Sequence, residues 1–180
     1  MILVSQNLLH YKMQLPKKAV FRVNLAWINN LTELDVILKS IRGPIFLDLP
    51  TDRIKPPNNS YTIKQLLPYL QKYKNIQYFA VSNVDSPKNL LPYRQIPTKI
   101  TLVPKIETVR GIKNISSIID ALPAKKKVLM LDHDDLWTSV IKVGLRPVEF
   151  TRYIKRLSAF CKRRHVILLR MRGNIFASEK

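Results

Sequence analysis

Glycine is scarce here: four in 180 residues. A phosphate-cradling loop needs several glycines within a few positions, and no such cluster is present. Cysteine is scarcer still. Cys161 stands alone, which excludes an internal disulfide and fits a reducing compartment. Three histidines (His10, His133 and His165) and that one thiol make no zinc-finger spacing. Cys161 also falls in a predicted helix without a His-Asp arrangement nearby, so it reads as structural. Long apolar runs are missing too. None approaches the ~20 residues that cross a bilayer, and the N-terminus lacks a basic segment followed by an apolar one. The expectation is a cytoplasmic protein with no membrane association.

Acidic residues are few. Twelve stand against 31 Lys and Arg, for a net charge of +19. Such an excess attracts phosphates, nucleic acid or anionic surfaces. The plainer reading is composition, because Lys, Asn and Ile are abundant throughout and the cations are scattered. Arg152, Lys155, Arg156, Lys162, Arg163 and Arg164 could form a basic helix face, with Tyr153 and Phe160 interleaved; the alternative is a solvated face covering a core. Nucleic acid is therefore carried as a partner class, behind a small anionic substrate. At 46% apolar residues, the chain suffices for one domain with a real core.

What is present is alternation. Residues 1–18 read as an arm or a first strand, and 19–180 as a single domain. Ala19–Leu25, Ile45–Leu49, Ile76–Val84, Ile100–Thr108, Val128–Leu131 and His165–Leu169 are predicted strands. Helical spacing follows over Leu31–Ile41, Thr62–Tyr73 (with Pro68 a potential kink), Ile112–Leu122 and from Pro147 to about Arg163. Strands of this apolar character between helices make an α/β fold with a parallel sheet. A closed eight-stranded barrel takes ~250 residues, with roughly 200 a lower limit. The predicted architecture is a truncated or incomplete TIM-type (β/α) barrel. Its open edge needs cover, which makes a homo-oligomer a candidate assembly.

The chemistry centres on Lys105 and Glu107. Residues i and i+2 of a strand share a face, so both project from the C-terminal end of one strand, where such barrels build active sites. Arg22 and Asn24, Asp48, and Asp135 are predicted at other strand ends. Carboxylate oxygens suit Mg2+ or Mn2+. An ion held by Glu107 and Asp135 could bind a 2-keto acid and stabilise its enolate, with Lys105 supplying charge or moving a proton. Taken singly, each carboxylate reads first as a helix cap or ion-pair partner, and it is their joint occurrence that favours a metal site; His133 reads equally as a member of that site or as a hydrogen-bonded structural neighbour of the acids.

Five strings in unbroken order resemble the catalytic barrel of pyruvate kinase, of the phosphoenolpyruvate/pyruvate superfamily. They are Phe21-Arg22-Val23-Asn24-Leu25, Leu47-Asp48-Leu49-Pro50 through Lys55, Phe79-Ala80-Val81-Ser82-Asn83-Val84, Lys105-Ile106-Glu107 with Gly111-Ile112-Lys113-Asn114, and Met130 through Leu136. The resemblance implies Glu107 and Asp135 as divalent-metal ligands and Lys105 as the catalytic lysine. It also implies Arg22 and Lys55 toward the substrate phosphate, and Asn24 and Asp48 in a monovalent-cation site, K+ in that family. Departures are Ala26 for a serine, Lys55 for an arginine, Asp134 for a glycine and Arg170 near an expected threonine. Only a few residues after Lys55 replace the lid domain. Ile106 to Gly111 with a later Asp-Asp-Leu is also similar to the citrate-lyase β-subunit and hydroxy-keto-acid aldolase branch, against which the extra strand before Lys105 argues. The resulting expectation is a pyruvate kinase-like, metal-dependent transferase, or a lyase or aldolase of the same superfamily. A catalytically degenerate barrel serving as a binding or assembly partner is the alternative, and a basic nucleic-acid-binding protein the third.

Overall fold

The computed structural model describes residues 1–10, 16, 18–52, 56–123 and 126–170; Lys55 lies outside them. Seven strands pair in chain order, every neighbour parallel: β1 Ile2–Ser5, β2 Ala19–Asn24, β3 Ile45–Leu49, β4 Ile76–Val81, β5 Thr101–Ile106, β6 Val128–Leu131 and β7 Ile167–Arg170. Between them lie helices α1 Leu31–Ser40, α2 Ile63–Lys72, α3 Val109–Lys113, α4 Ile115–Asp120, α5 His133–Lys142 and α6 Val148–Arg163. A 3-10 segment, Pro87–Tyr93, links β4 to β5. The weakly periodic opening does contain a strand, β1.

Alternation along the strands sorts side chains onto two faces. Val23, Leu47, Phe79, Leu102 and Leu129 point toward the helices. There they share one apolar cluster with Leu34 and Leu38 of α1, Leu66 and Leu70 of α2, and Leu157 of α6. The other face carries Val20, Phe46, Ala80, Val103 and Val128, all buried, and no helical residue joins them among the described residues. Their cover comes from the sheet itself. Leu3 of edge strand β1 and Ile167 and Leu169 of edge strand β7 pack against this same cluster. A flat seven-stranded sheet would hold its edges nearly 30 Å apart, at roughly 4.8 Å per strand. The sheet is curled into a half-barrel with its small apolar core on the concave side.

Pro104 sits inside β5, where a missing N–H would leave a gap in a central ladder. The registered pairing shifts at this residue. β5 pairs with β4 over Thr101 to Pro104 and with β6 over Lys105 and Ile106.

Helix starts follow side-chain caps. Asn30 accepts from Glu33 N–H, Thr62 and Gln65 form a capping box, and Thr108 accepts from Gly111 N–H. α2 runs through Pro68 without splitting, held by its capped start and by Leu66 and Leu70 buried on either side of the proline. Two expectations are corrected. The helix predicted over Ile112–Leu122 is two helices, broken at Asn114. The polar string after β6 is not a strand end: Asp132 caps α5, and Asp135 lies in the first turn of that helix.

Candidate functional site

The concave face changes character along the strands. Below lies the apolar layer; above it, at the C-terminal ends, come Arg22 and Asn24 of β2, Asp48 of β3, Ser82 just past β4, and Lys105 of β5. Asn24 and Asp48 are register partners across β2 and β3. Lys105 pairs with Met130, and Asp132 N–H donates to Ile106 O at 3.3 Å. Two residues beyond that pair, Glu107 and Asp132 therefore leave neighbouring strands side by side.

Lys105 is the centre of a buried charge network. Its Nζ lies 3.0 Å from Glu107 Oε1 and 3.4 Å from Asp48 Oδ1, and donates to Ser82 Oγ at 2.9 Å. Asp48 Oδ2 accepts from Arg22 Nε at 2.9 Å and Nη2 at 2.5 Å. Asp48 Oδ1 accepts no hydrogen bond, so its charge is met by Lys105 through space. Burial works against the Lys105 ammonium, but Asp48 and Glu107 outweigh it and raise its pKa above 10.5. Lys105 is thus a fixed cation at neutral pH.

Glu107 is pulled in several directions. Its Oε2 accepts from Asn83 N–H at 2.6 Å. Asn83 adopts φ 53° and anchors its side chain on Thr51 O at 2.7 Å. Burial raises the Glu107 pKa above 4.5; Lys105 and the Asn83 N–H oppose that, and the nearby Asp135 charge adds to it.

Glu107, Asp132 and Asp135 each offer a carboxylate oxygen, all within 4.8 Å of one another. Asp132 uses Oδ1 to cap the N–H groups of Asp134 and Asp135 at 3.2 and 3.3 Å, which leaves its second oxygen for other use. Oxygens on opposite sides of an ion stand about 4.2 Å apart for Mg2+ and roughly 4.6–5.2 Å for Ca2+. The span suits a hard divalent cation, with Mg2+ or Mn2+ drawing the ligands slightly inward. Sequence reasoning named Glu107 and Asp135 and missed Asp132. The signal was its place two residues after Met130, on the concave face.

The remaining candidates take no part in the acidic group. Asn24 turns its side chain back to accept from Ala26 N–H at 3.1 Å. Arg22 is held by Asp48, its side chain one-third exposed. His133 packs edge-on to Phe150, with ring centroids 6.3 Å apart, and contributes nothing to the acidic group. Arg170 ends β7, exposed. Burial pushes the Cys161 thiol up to about 11, which removes it as a nucleophile. Among the described residues, no helix is long and apolar enough to cross a membrane.

No family model matches this chain, and no curated protein matches it. Among solved structures it is similar to the crystal structure of RipC from Yersinia pestis, with a TM-score of 0.60 at 16% identity, covering 94% of this chain and 73% of that one. At such identity the likeness shows the fold alone. The resemblance to pyruvate kinase is thereby corrected, since no family match supports it and the structural likeness carries only architecture. The five strings have a simpler cause: each includes part of a strand of one curled parallel sheet, and such strands pass from apolar residues to polar ones at the same end.

Proposed function

We propose that this protein binds a small 2-keto acid, or a closely related dianion, through a divalent cation held by Glu107, Asp132 and Asp135. The observation that carries this reading is the convergence of three carboxylates, from the ends of β5 and β6 and the first turn of α5, beside a lysine charged at neutral pH. Three carboxylates at such spacing offer hard oxygen ligands at the reach of one divalent cation, and Lys105 stands beside them, shared between Asp48 and Glu107. Mg2+ or Mn2+ would supply Lewis-acid stabilisation of negative charge developing on a keto oxygen. Lys105 adds a fixed positive charge from the dry floor of the site; its raised pKa suits it to stabilise an anion and not to abstract a proton. Arg22, aligned by Asp48 and partly open to solvent, would orient a carboxylate. A monovalent cation is left out, because Asp48 already faces both Arg22 and Lys105.

We read the half-barrel as an incomplete TIM-type barrel. In-order parallel pairing and a concave apolar layer support this, as does placement of the polar residues at the C-terminal strand ends.

The test is calorimetric titration of Mn2+ with and without oxalate, a planar dianion resembling an enolate. Wild type should bind Mn2+ more tightly with oxalate present, and Glu107→Gln should lose both binding events. Absence of Mn2+ binding by the wild type would sink the proposal.

A further inference from the structure

The charge excess has an address away from the metal site. Residues 142–170 contain nine Lys and Arg and a single acid, Glu149. α6 runs through this stretch, burying Leu157 and Cys161 against the sheet and turning its other side outward. Lys155 with Lys162, and Arg156 with Arg163, are seven residues apart, two turns along the same face, about 10.5 Å along the axis. All four are exposed, and none forms an ion pair among the described residues. Ala159 lies between the two pairs and leaves the floor flat. The neighbouring cations are engaged: Arg152 bonds Glu149 at 2.7 Å, and Arg164 bonds Asp120.

Helix stability does not require this arrangement. Cations in the last turn complement the helix dipole, which covers Lys162 and Arg163 but not Lys155 and Arg156 at mid-helix. A bilayer is a poor match, because amphipathic docking needs apolar side chains on the contact face. The large apolar side chains of α6 are turned inward over this span, and the exposed ones lie elsewhere, from Val148 backward. Paired cations on a flat polar ridge complement a regular array of phosphates. We propose that the outer face of α6 binds the phosphate backbone of nucleic acid without reading sequence, independently of the metal site.

Fluorescence anisotropy with a labelled random-sequence DNA duplex tests this. About four phosphate contacts predict a slope near −3.6 in log K against log salt, roughly a 100-fold loss between about 50 and 200 mM. A quadruple reversal (K155E, R156E, K162E, R163E) should abolish binding. Reversal of four exposed lysines elsewhere (K64E, K74E, K88E, K99E) changes net charge equally and should leave most of it. If the α6 reversal melts early, the neutral set (K155Q, R156Q, K162Q, R163Q) should reduce the salt slope to near zero with an unchanged circular dichroism melt. Equal loss in the two reversal sets, no duplex binding by wild type, or binding to phosphatidylserine vesicles but not to duplex would each overturn the proposal.

Discussion

Lys105 on β5 and Glu107 just past its end form an ion pair of 3.0 Å with side-chain exposures of only 7% and 3%. Asp48 stands on the other side of the same ammonium, so one buried cation serves two buried acids. Removing one partner of such a set costs far more than the set contributes, because the remaining charges lose their counterion without regaining water. Lys105→Met should therefore lower unfolding free energy by about 3–5 kcal/mol at neutral pH. The deficit should shrink as the medium is acidified and the stranded carboxylates take up protons. Urea denaturation at neutral and mildly acidic pH measures both effects. A loss under about 1 kcal/mol, the range of an exposed pair, would show that the network is not desolvated.

Much of this architecture is readable from residue order, and the limits are instructive. β2 to β6 announce themselves as apolar runs between helical patterns, and the period of two is enough to place Lys105 beside Glu107. Pairing between strands is another matter. Arg22 meets Asp48 across 26 positions because β2 and β3 align Asn24 with Asp48, and no local pattern fixes that register. α5 was hidden by its own start signal. An aspartate cap followed by two more acids is a helix opening, yet after an apolar strand it also reads as a polar strand end. That is why Asp132 went unnoticed as the third acid. The break at Asn114 has neither proline nor glycine to mark it.

Proton linkage separates the two central residues. Burial lifts the Glu107 pKa above 4.5 against the pull of Lys105, so the folded chain holds this proton more tightly than the unfolded one. Its contribution to stability is largest at acid pH and declines as pH rises from 4.5 through the raised folded value. Lys105, raised above 10.5, contributes stability in full below 10.5 and loses it as pH climbs through its folded value. A cation bound as proposed would compete with the proton for the Glu107 carboxylate, so Mn2+ should release a proton on binding just above 4.5 and none well above that window. Calorimetry in buffers of different ionisation enthalpy counts the protons. Release that persists unchanged at alkaline pH would assign it to some other group.

Gly111 ties the site to the helix layer. A Cβ there would lie 2.8 Å from Val84 O, 3.3 Å from Ile106 Cγ2 and 3.4 Å from Asp85 Oδ1. The first is a backbone carbonyl and cannot swing aside. Val84 N–H donates to Lys105 O at 3.2 Å, and the preceding residue, Asn83, holds Glu107. Displacing Val84 therefore moves the donor that orients the Glu107 carboxylate. Gly111→Ala should cost about 1–3 kcal/mol through overpacking and weaken Mn2+ binding as well. Gly144→Ala is the control. Gly144 has φ +71° just past α5, with nothing within 4 Å of an added Cβ, so the change strains the backbone by about 1 kcal/mol and leaves metal affinity intact. Thermal melts with Mn2+ titrations on both variants separate the effects, and equal metal affinity in the two would show that α3 does not position Glu107.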